Sequence, residues 1–288
     1  MERSTQRVAV LGLGPMGRAL ATAFGPGVTV WNRTPGKAEG LAANVADAPD
    51  AAVAAADVVV TCLIDDVAVR GTLDGVHFGA RPLINLTSST PAQAREMAAW
   101  AADRGIPYLD GAILTPTRLI GTPSATILLS GDPAVHAATA PTLAPVAGRI
   151  LHLGPDPARS SAYDMALLDL FATSATGLLH AFALATAEGI APADFATFAT
   201  GIGAILPELA VGIAANLTAG DHPGDRSTLT SAASGIAHVV ATTQAHGLDT
   251  GMLDAARAVI DRAVAEGHGA EGLSRLAEVW GRGGSAVA

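Results

Sequence analysis

The chain has 288 residues, 50% of them hydrophobic and 15% charged, with a formal net charge of −9. That length and composition allow two domains or one large one around a sizeable core, and an acidic balance with no basic stripe to offset it argues against nucleic-acid binding. Cys62 is the only cysteine and Lys37 the only lysine. No disulfide framework or cysteine-based metal site can form within one chain, and no chemistry can use a lysine beyond residue 37. A single cysteine fits a reducing cytoplasm, and the stretch Met1 to Arg7 carries no secretory hydrophobic segment.

In chain order, Val8 to Leu11 is a short apolar run of the kind that forms a buried parallel strand. Gly12-Leu13-Gly14-Pro15-Met16-Gly17 follows without a gap, and Arg18 to Phe24 continues at helical spacing. This is the strand, turn and helix context that a dinucleotide fingerprint requires. Gly12 permits the tight turn, Gly14 lets the backbone approach a pyrophosphate, Gly17 lets the helix pack on the strand, and the helix N-terminus faces the phosphates. A second strand, Val28 to Trp31, ends where NAD-binding folds usually place a carboxylate on the ribose hydroxyl. Here the residues are Asn32, Arg33 and Thr34, with Lys37 one turn on. A carboxylate would repel a 2′-phosphate, whereas these groups bind one. The motif therefore predicts NADP(H); the alternative is a solvated loop with two incidental cations.

Ala38 to Ala48 reads as a short helix and loop, Ala51 to Ala56 as helix-prone, Asp57 to Leu63 as a strand and Val67 to Leu73 as a helix. Pro82 to Pro91 reads as a strand and polar turn that start a helix running through Trp100. Ile106 to Ala112 and Ala125 to Gly131 are two more strands, separated by the loop Thr115 to Ser124. Such alternation predicts a parallel sheet covered on both faces, with ligands at the carboxyl ends of its strands. Those ends bring Cys62, Leu63, Asn85 and Thr87 to the crevice already marked by residues 12–17 and 32–37. Asn85 is expected beside the nicotinamide, in contact with ribose or substrate.

From Ala158 to Ile190 there is no proline, and Gly177 is the one glycine before Gly189 at the end of the span. A helix of that length spans roughly 45 Å and is apolar on nearly every face. A transmembrane span is the rival reading, opposed by Asp164, Asp169, His180 and Glu188. Wrapping by a second subunit is the economical alternative, which predicts a homodimer. Helices follow over 193–200, 205–216, 227–244, 252–265 and 272–280. The expected division is a Rossmann nucleotide-binding domain over 1–157, a long interdomain helix over 158–190 and an all-α dimerisation and substrate domain over 191–288. Eight histidines without HxH or HxxxH spacing give no metal site. His180 and His238 read as packing residues as readily as pocket residues, and Tyr163 as either a pocket wall or a hydrogen-bond donor.

The cofactor elements resemble those of bacterial imine reductases, relatives of the β-hydroxyacid dehydrogenases and of 6-phosphogluconate dehydrogenase. The resemblance is carried by Val10 to Gly17, by Trp31-Asn32-Arg33-Thr34 with Lys37, by Asn85 to Pro91, by Gly121-Thr122-Pro123, by Gly154 to Ser160 with Asp164, and by Pro223 to Leu229. It implies NADPH-dependent reduction of a C=N bond in a small imine to give an amine. It also implies a homodimer that exchanges its helical domains, so that each site lies between the sheet of one subunit and the helices of the other.

The dehydrogenase relatives carry a catalytic lysine in the long helix, where this chain by alignment has Asp164. A carboxylate there could stabilise an iminium cation, or could simply complement the helix dipole. Two turns on, where many imine reductases carry Asp or Tyr as proposed proton donor, this chain has Ala172; Leu168, Asp169 and Thr176 share that face. Near Ala232 the family's frequent amide side chain is also missing. These residues form the expected substrate wall. Reduction of an activated carbonyl and a non-catalytic NADPH-binding role remain the alternatives.

Overall fold

The computed structural model describes residues 6–282; most of the N-terminal stretch read as free of a leader lies outside them. The chain divides into two compact units, Met1–Ala172 and Thr173–Ala288.

The first unit is built on an eight-stranded sheet in the order β3-β2-β1-β4-β5-β6-β7-β8, counting the described residues. The strands are β1 (Val8–Leu11), β2 (Thr29–Trp31), β3 (Asn44–Val45), β4 (Val58–Thr61), β5 (Leu83–Asn85), β6 (Tyr108–Ile113), β7 (Thr126–Gly131) and β8 (Arg149–His152). The order reverses between β2-β1 and β1-β4, the switch point at which doubly wound sheets bind ligands. Helices α1 (Pro15–Phe24), α2 (Pro49–Ala54), α3 (Asp66–Leu73), α4 (Pro91–Ala102) and α5 (Pro133–Leu143) cover it.

Period-2 alternation divides the core. Val8, Val10, Val30, Val58, Val60, Ile84 and Leu109 meet Leu20 of α1 and Leu143 of α5 on one face. Ala9, Leu11, Val59, Leu83 and Tyr108 meet Val53 of α2, Val69 and Leu73 of α3 and Met97 of α4 on the other. Burial of both faces explains why β1 and β4 read as unbroken apolar runs.

Three expectations need correction. The short helix expected within 38–48 is absent: residues 35–40 form turns, with Gly36 and Gly40 at φ 79° and 77°, and Asn44–Val45 pairs with β2. The sheet is not wholly parallel, because β7 runs antiparallel to β6 before β8 returns parallel to β7. Helix α5 and strand β8 lie in a stretch that the sequence reading left unassigned, although Asp132 caps α5 by accepting from the Ala134 N–H at 2.7 Å, with Pro133 starting the helix.

The long helix forms as expected: α6 spans Arg159–Ala187, 29 residues. It begins in the first unit and ends in the second, which also contains α7 (Pro192–Gly203), α8 (Leu206–Ala219), α9 (Leu229–Ala245), α10 (Gly251–Ala263) and α11 (Leu276–Arg282). The core of this unit is small, formed by Leu229, Ile260, Ala263, Leu276 and Val279. Buried His222 accompanies it, with Nδ1 2.9 Å from Ser274 Oγ and Nε2 2.9 Å from Glu278 Oε1, fastening the loop after α8 to the start of α11.

Candidate active site

A cleft of about 360 Å³ opens at the switch point, at the carboxyl ends of β1, β2 and β4. Gly12, Gly14, Pro15, Met16 and Gly17 form one wall, Asn32, Arg33 and Thr34 the second, and Cys62, Leu63 and Ile64 the third.

The glycines of the turn are there for distinct reasons. Gly12 has φ +104°, and a Cβ on it would stand 2.3 Å from the Cys62 carbonyl oxygen. A Cβ on Gly17 would stand 1.9 Å from the Gly12 carbonyl oxygen. Both positions exclude any larger residue. Gly14 differs: nothing lies within 4 Å of its would-be Cβ. It is also the N-cap of α1, no side chain caps that helix, and Pro15 occupies the first turn. An uncapped helix N-terminus beside open space fits a dinucleotide pyrophosphate, which fills that space and accepts from the backbone N–H groups.

Arg33 and Thr34 line this wall and are exposed, as is Lys37 three residues further on. Asn32 is committed elsewhere. Its Oδ1 accepts from the Leu13 N–H at 2.8 Å and its Nδ2 donates to the Thr34 carbonyl at 2.9 Å. The Leu13 side chain is buried in the sheet core. Burial pushes the Cys62 thiol up to about 11, so this wall residue presents an unionised, apolar sulfur at neutral pH.

Asn85 and Thr87 stand behind the cleft. Asn85 has no exposed surface. Its Oδ1 accepts from Thr61 Oγ1 at 2.8 Å and from the Thr87 N–H at 3.2 Å, while Nδ2 donates to Asp66 Oδ1 at 3.1 Å and Tyr108 OH at 3.3 Å. All four hydrogen-bonding positions of the amide are used, so the contact with cofactor or substrate expected of Asn85 is not available in this arrangement. Thr87 Oγ1 accepts from the Leu63 N–H at 3.0 Å and so holds the cleft wall instead of facing into it.

The network continues to a group that the sequence reading missed. Tyr108 OH donates to Asp110 Oδ1 at 3.2 Å, and Ser160 and Ser161 at the start of α6 donate to Asp110 Oδ2 at 2.7 and 2.8 Å. Burial pushes the Asp110 carboxyl up to about 6, partly opposed by the two serines and Tyr108. Burial also raises Asp66, and the Tyr108 phenol is held well above its usual value. A carboxylate in the middle of an apolar strand, Tyr108-Leu109-Asp110, was the available signal.

Asp164 lies one turn beyond Ser160 and is 6% exposed. Burial raises its carboxyl, and a hydrogen bond with Ser88 pulls it partly back. Leu168, Asp169 and Ala172 follow on the exposed length of α6. In the second unit, Thr176 Oγ1 donates to the Thr173 carbonyl at 3.1 Å, and Ala232 of α9 packs against the helical core. Of the expected cofactor residues, Gly12, Gly14, Pro15, Met16, Gly17, Asn32, Arg33, Thr34, Cys62 and Leu63 line one cleft, whereas Lys37, Asn85 and Thr87 lie outside its lining and the expected substrate residues are spread along α6 and onto α9.

Comparison with known proteins covers nearly the whole chain. The family described as the NAD binding domain of 6-phosphogluconate dehydrogenase matches residues 7–154, and the NADPH-dependent reductive aminase-like C-terminal domain matches residues 156–282. An NADPH-dependent reductive aminase from Aspergillus oryzae is 32% identical, over 95% of this chain and 97% of the relative. Among solved structures, an imine reductase from Myxococcus stipitatus in complex with NADP+ superposes with a TM-score of 0.90 at 30% identity, covering 95% of this chain and 99% of that one. A reductive aminase from Aspergillus terreus in complex with NADPH and ethyl levulinate superposes with a TM-score of 0.89 at 32% identity, covering 96% and 100%.

Proposed function

The chain belongs to the imine reductase and reductive aminase family of NADPH-dependent oxidoreductases, and from that premise we propose that it reduces the C=N bond of a cyclic or preformed imine. The bound dinucleotide supplies the hydride. Gly12, Gly14, Pro15, Met16 and Gly17 cradle its pyrophosphate against the N-terminus of α1, Arg33, Thr34 and Lys37 bind its 2′-phosphate, and Cys62 and Leu63 form the wall of the same cleft.

The observation that carries C=N over C=O reduction is the buried carboxyl of Asp164 on a helix that contains no lysine. Reduction of a carbonyl builds negative charge on oxygen, which an ammonium would stabilise; an iminium is already cationic, and a carboxylate stabilises it. Asp164 is therefore assigned the catalytic role, with Asn85 moved from contact to positioning. Leu168, Asp169, Ala172, Thr176 and Ala232 are assigned to the substrate wall.

A homodimer with exchanged helical domains completes this reading. Helix α6 and the segment Pro192–Ala219 are each long and apolar enough to cross a membrane by length and composition. Phe198, Ile202 and Val211 are largely exposed in the single chain. The charged and polar residues Asp169, His180 and Glu188 suit a subunit interface better than lipid. The working parts are residues 1–157, 158–190 and 191–288, and the setting is cytoplasmic, in keeping with one cysteine.

Oxidation of NADPH by the purified protein with a small five- or six-membered cyclic imine tests the proposal, with NADH and a β-keto acid as parallel arms. Turnover restricted to imine and NADPH is expected, as is a loss of about a hundredfold in kcat for Asp164→Ala. Turnover of the keto acid in place of the imine would overturn the C=N assignment. Tight NADPH binding without turnover of any imine would favour the non-catalytic alternative, for which Ala172 and Ala232, neither able to donate a proton, are the features.

A further inference from the structure

The segment that presents Arg33, Thr34 and Lys37 has no regular structure of its own. Residues 35–40 are turns, and Gly36 and Gly40 adopt φ values of 79° and 77°. Its own hydrogen bonds, from the Glu39 N–H to the Gly36 carbonyl at 3.1 Å and from the Leu41 N–H to the Ala38 carbonyl at 3.0 Å, close single turns without fixing where the three phosphate-binding side chains stand relative to the pyrophosphate cradle. A multidentate anion site needs that fixing, because each donor misplaced by an ångström loses most of its hydrogen bond.

The fixing comes from outside the segment. Arg18, half-buried in the first turn of α1, donates through Nη1 to the Lys37 carbonyl oxygen and through Nη2 to the Glu39 carbonyl oxygen at 3.0 Å. One planar guanidinium thus spans two carbonyls of the turn. At the other end, Asn32 joins the Leu13 N–H to the Thr34 carbonyl. The phosphate-binding turn is held at Thr34 from the fingerprint loop and at Lys37 and Glu39 from α1. Both anchors start from the element that cradles the pyrophosphate, so the two phosphate sites are held in register.

We propose that Arg18 is a positioning residue for the 2′-phosphate site, setting preference for phosphorylated over unphosphorylated dinucleotides through the backbone of residues 37–39. The proposal rests on the assignment of Arg33, Thr34 and Lys37 to that phosphate. Lysine cannot replace arginine here, since its single ammonium lacks the planar fork that reaches both carbonyls.

The test compares binding of 2′,5′-ADP and 5′-ADP by calorimetry, with KM and kcat for NADPH and NADH, in the unmodified protein, Arg18→Met, Arg18→Lys and Arg33→Ala. Arg18→Met should weaken 2′,5′-ADP about tenfold and raise the NADPH KM to match. Affinity for 5′-ADP, the NADH KM and kcat at saturation should stay unchanged. Arg18→Lys should behave like Arg18→Met. Full rescue by Arg18→Lys, or unchanged 2′,5′-ADP binding in Arg18→Met while Arg33→Ala is weakened, would overturn the role of Arg18 alone. An unmodified protein that does not distinguish the two nucleotides would overturn the phosphate assignment and the role of Arg18 with it. Equal weakening of both nucleotides in Arg18→Met would show a general disturbance of α1 and also overturn the proposal.

Discussion

The two units solve the burial problem in opposite ways. In the sheet unit, Leu83 and Ile84 are 0% exposed, and helices from the same unit cover both faces. In the helical unit, Phe198 is 76% exposed and Val211 73%, and the local core consists of a handful of side chains. A sheet sandwiched by its own connecting helices completes its core within one chain, whereas long helices that are apolar all round cannot. The first unit closes its core within itself, while the second leaves large apolar side chains exposed, which is the ground for the proposed dimer.

The largest expected effect breaks the comparison where it is most exposed. Phe198 and Ile202 lie four residues apart on α7 and so share a face. If the proposed dimer forms, replacing both with Asp should convert it to monomer by light scattering and abolish turnover, while NADPH binding by the sheet unit persists. A double variant that stays dimeric and active would show that this face of α7 is not covered.

The matching change in the sheet unit acts on stability and leaves assembly alone. Ile84→Ala empties a fully buried position on β5 and should lower unfolding free energy by about 2–5 kcal/mol, read from the urea midpoint. The oligomeric state of the surviving folded protein should not change.

This contrast also explains what the sequence made legible. The strand–turn–helix of the cofactor cleft could be read because backbone sterics dictate its glycines: Gly12 and Gly17 face carbonyl oxygens at distances that no Cβ tolerates. Helix α6 could be read because nothing in it interrupts the ladder. Residues 38–48 misled because Ala38, Leu41, Ala42 and Ala43 favour helix locally, while pairing of Asn44–Val45 with β2 decides the outcome. Strand direction is not encoded in apolar runs, so the reversal at β7 was invisible. Asn85 was placed at the correct strand end; its direction was not, since that depends on Thr61, Asp66 and Tyr108, which come from three other elements. Asp110 was missed for the same reason.

A smaller effect is expected from that polar network inside the otherwise apolar sheet unit. In the unfolded chain the Asp110 carboxyl loses its proton near its ordinary value of 3.8, whereas in the folded protein it keeps the proton to about 6. Its contribution to stability is therefore fully present below about pH 4 and is lost as pH rises through about 6, by roughly 3 kcal/mol at most. Asp66, also raised by burial in the same network, acts in the same direction. Asp110→Asn should flatten the fall in Tm between pH 4 and 6; an unchanged profile would remove Asp110 as its source.

The smallest expected effect sharpens the description of the helical unit. Arg226 Nη1 lies 2.7 Å from Glu208 Oε1 at the start of α8, with both side chains mostly exposed in the single chain. The pair raises the Arg226 guanidinium, first through the hydrogen bond and then through charge attraction. Ion pairs in open water contribute little, because solvent and salt screen them. Arg226→Ala should therefore leave Tm unchanged at both low and high salt. Helix α8 also exposes Val211, three residues from Glu208 and therefore beside it on the helix surface, so the proposed second subunit, in covering Val211, would come close to the pair. If it closed over the pair, removing one charge would strand the other away from water, and Tm would drop at any salt concentration. A silent substitution thus shows that the Glu208 edge of α8 stays in contact with solvent in the assembled protein.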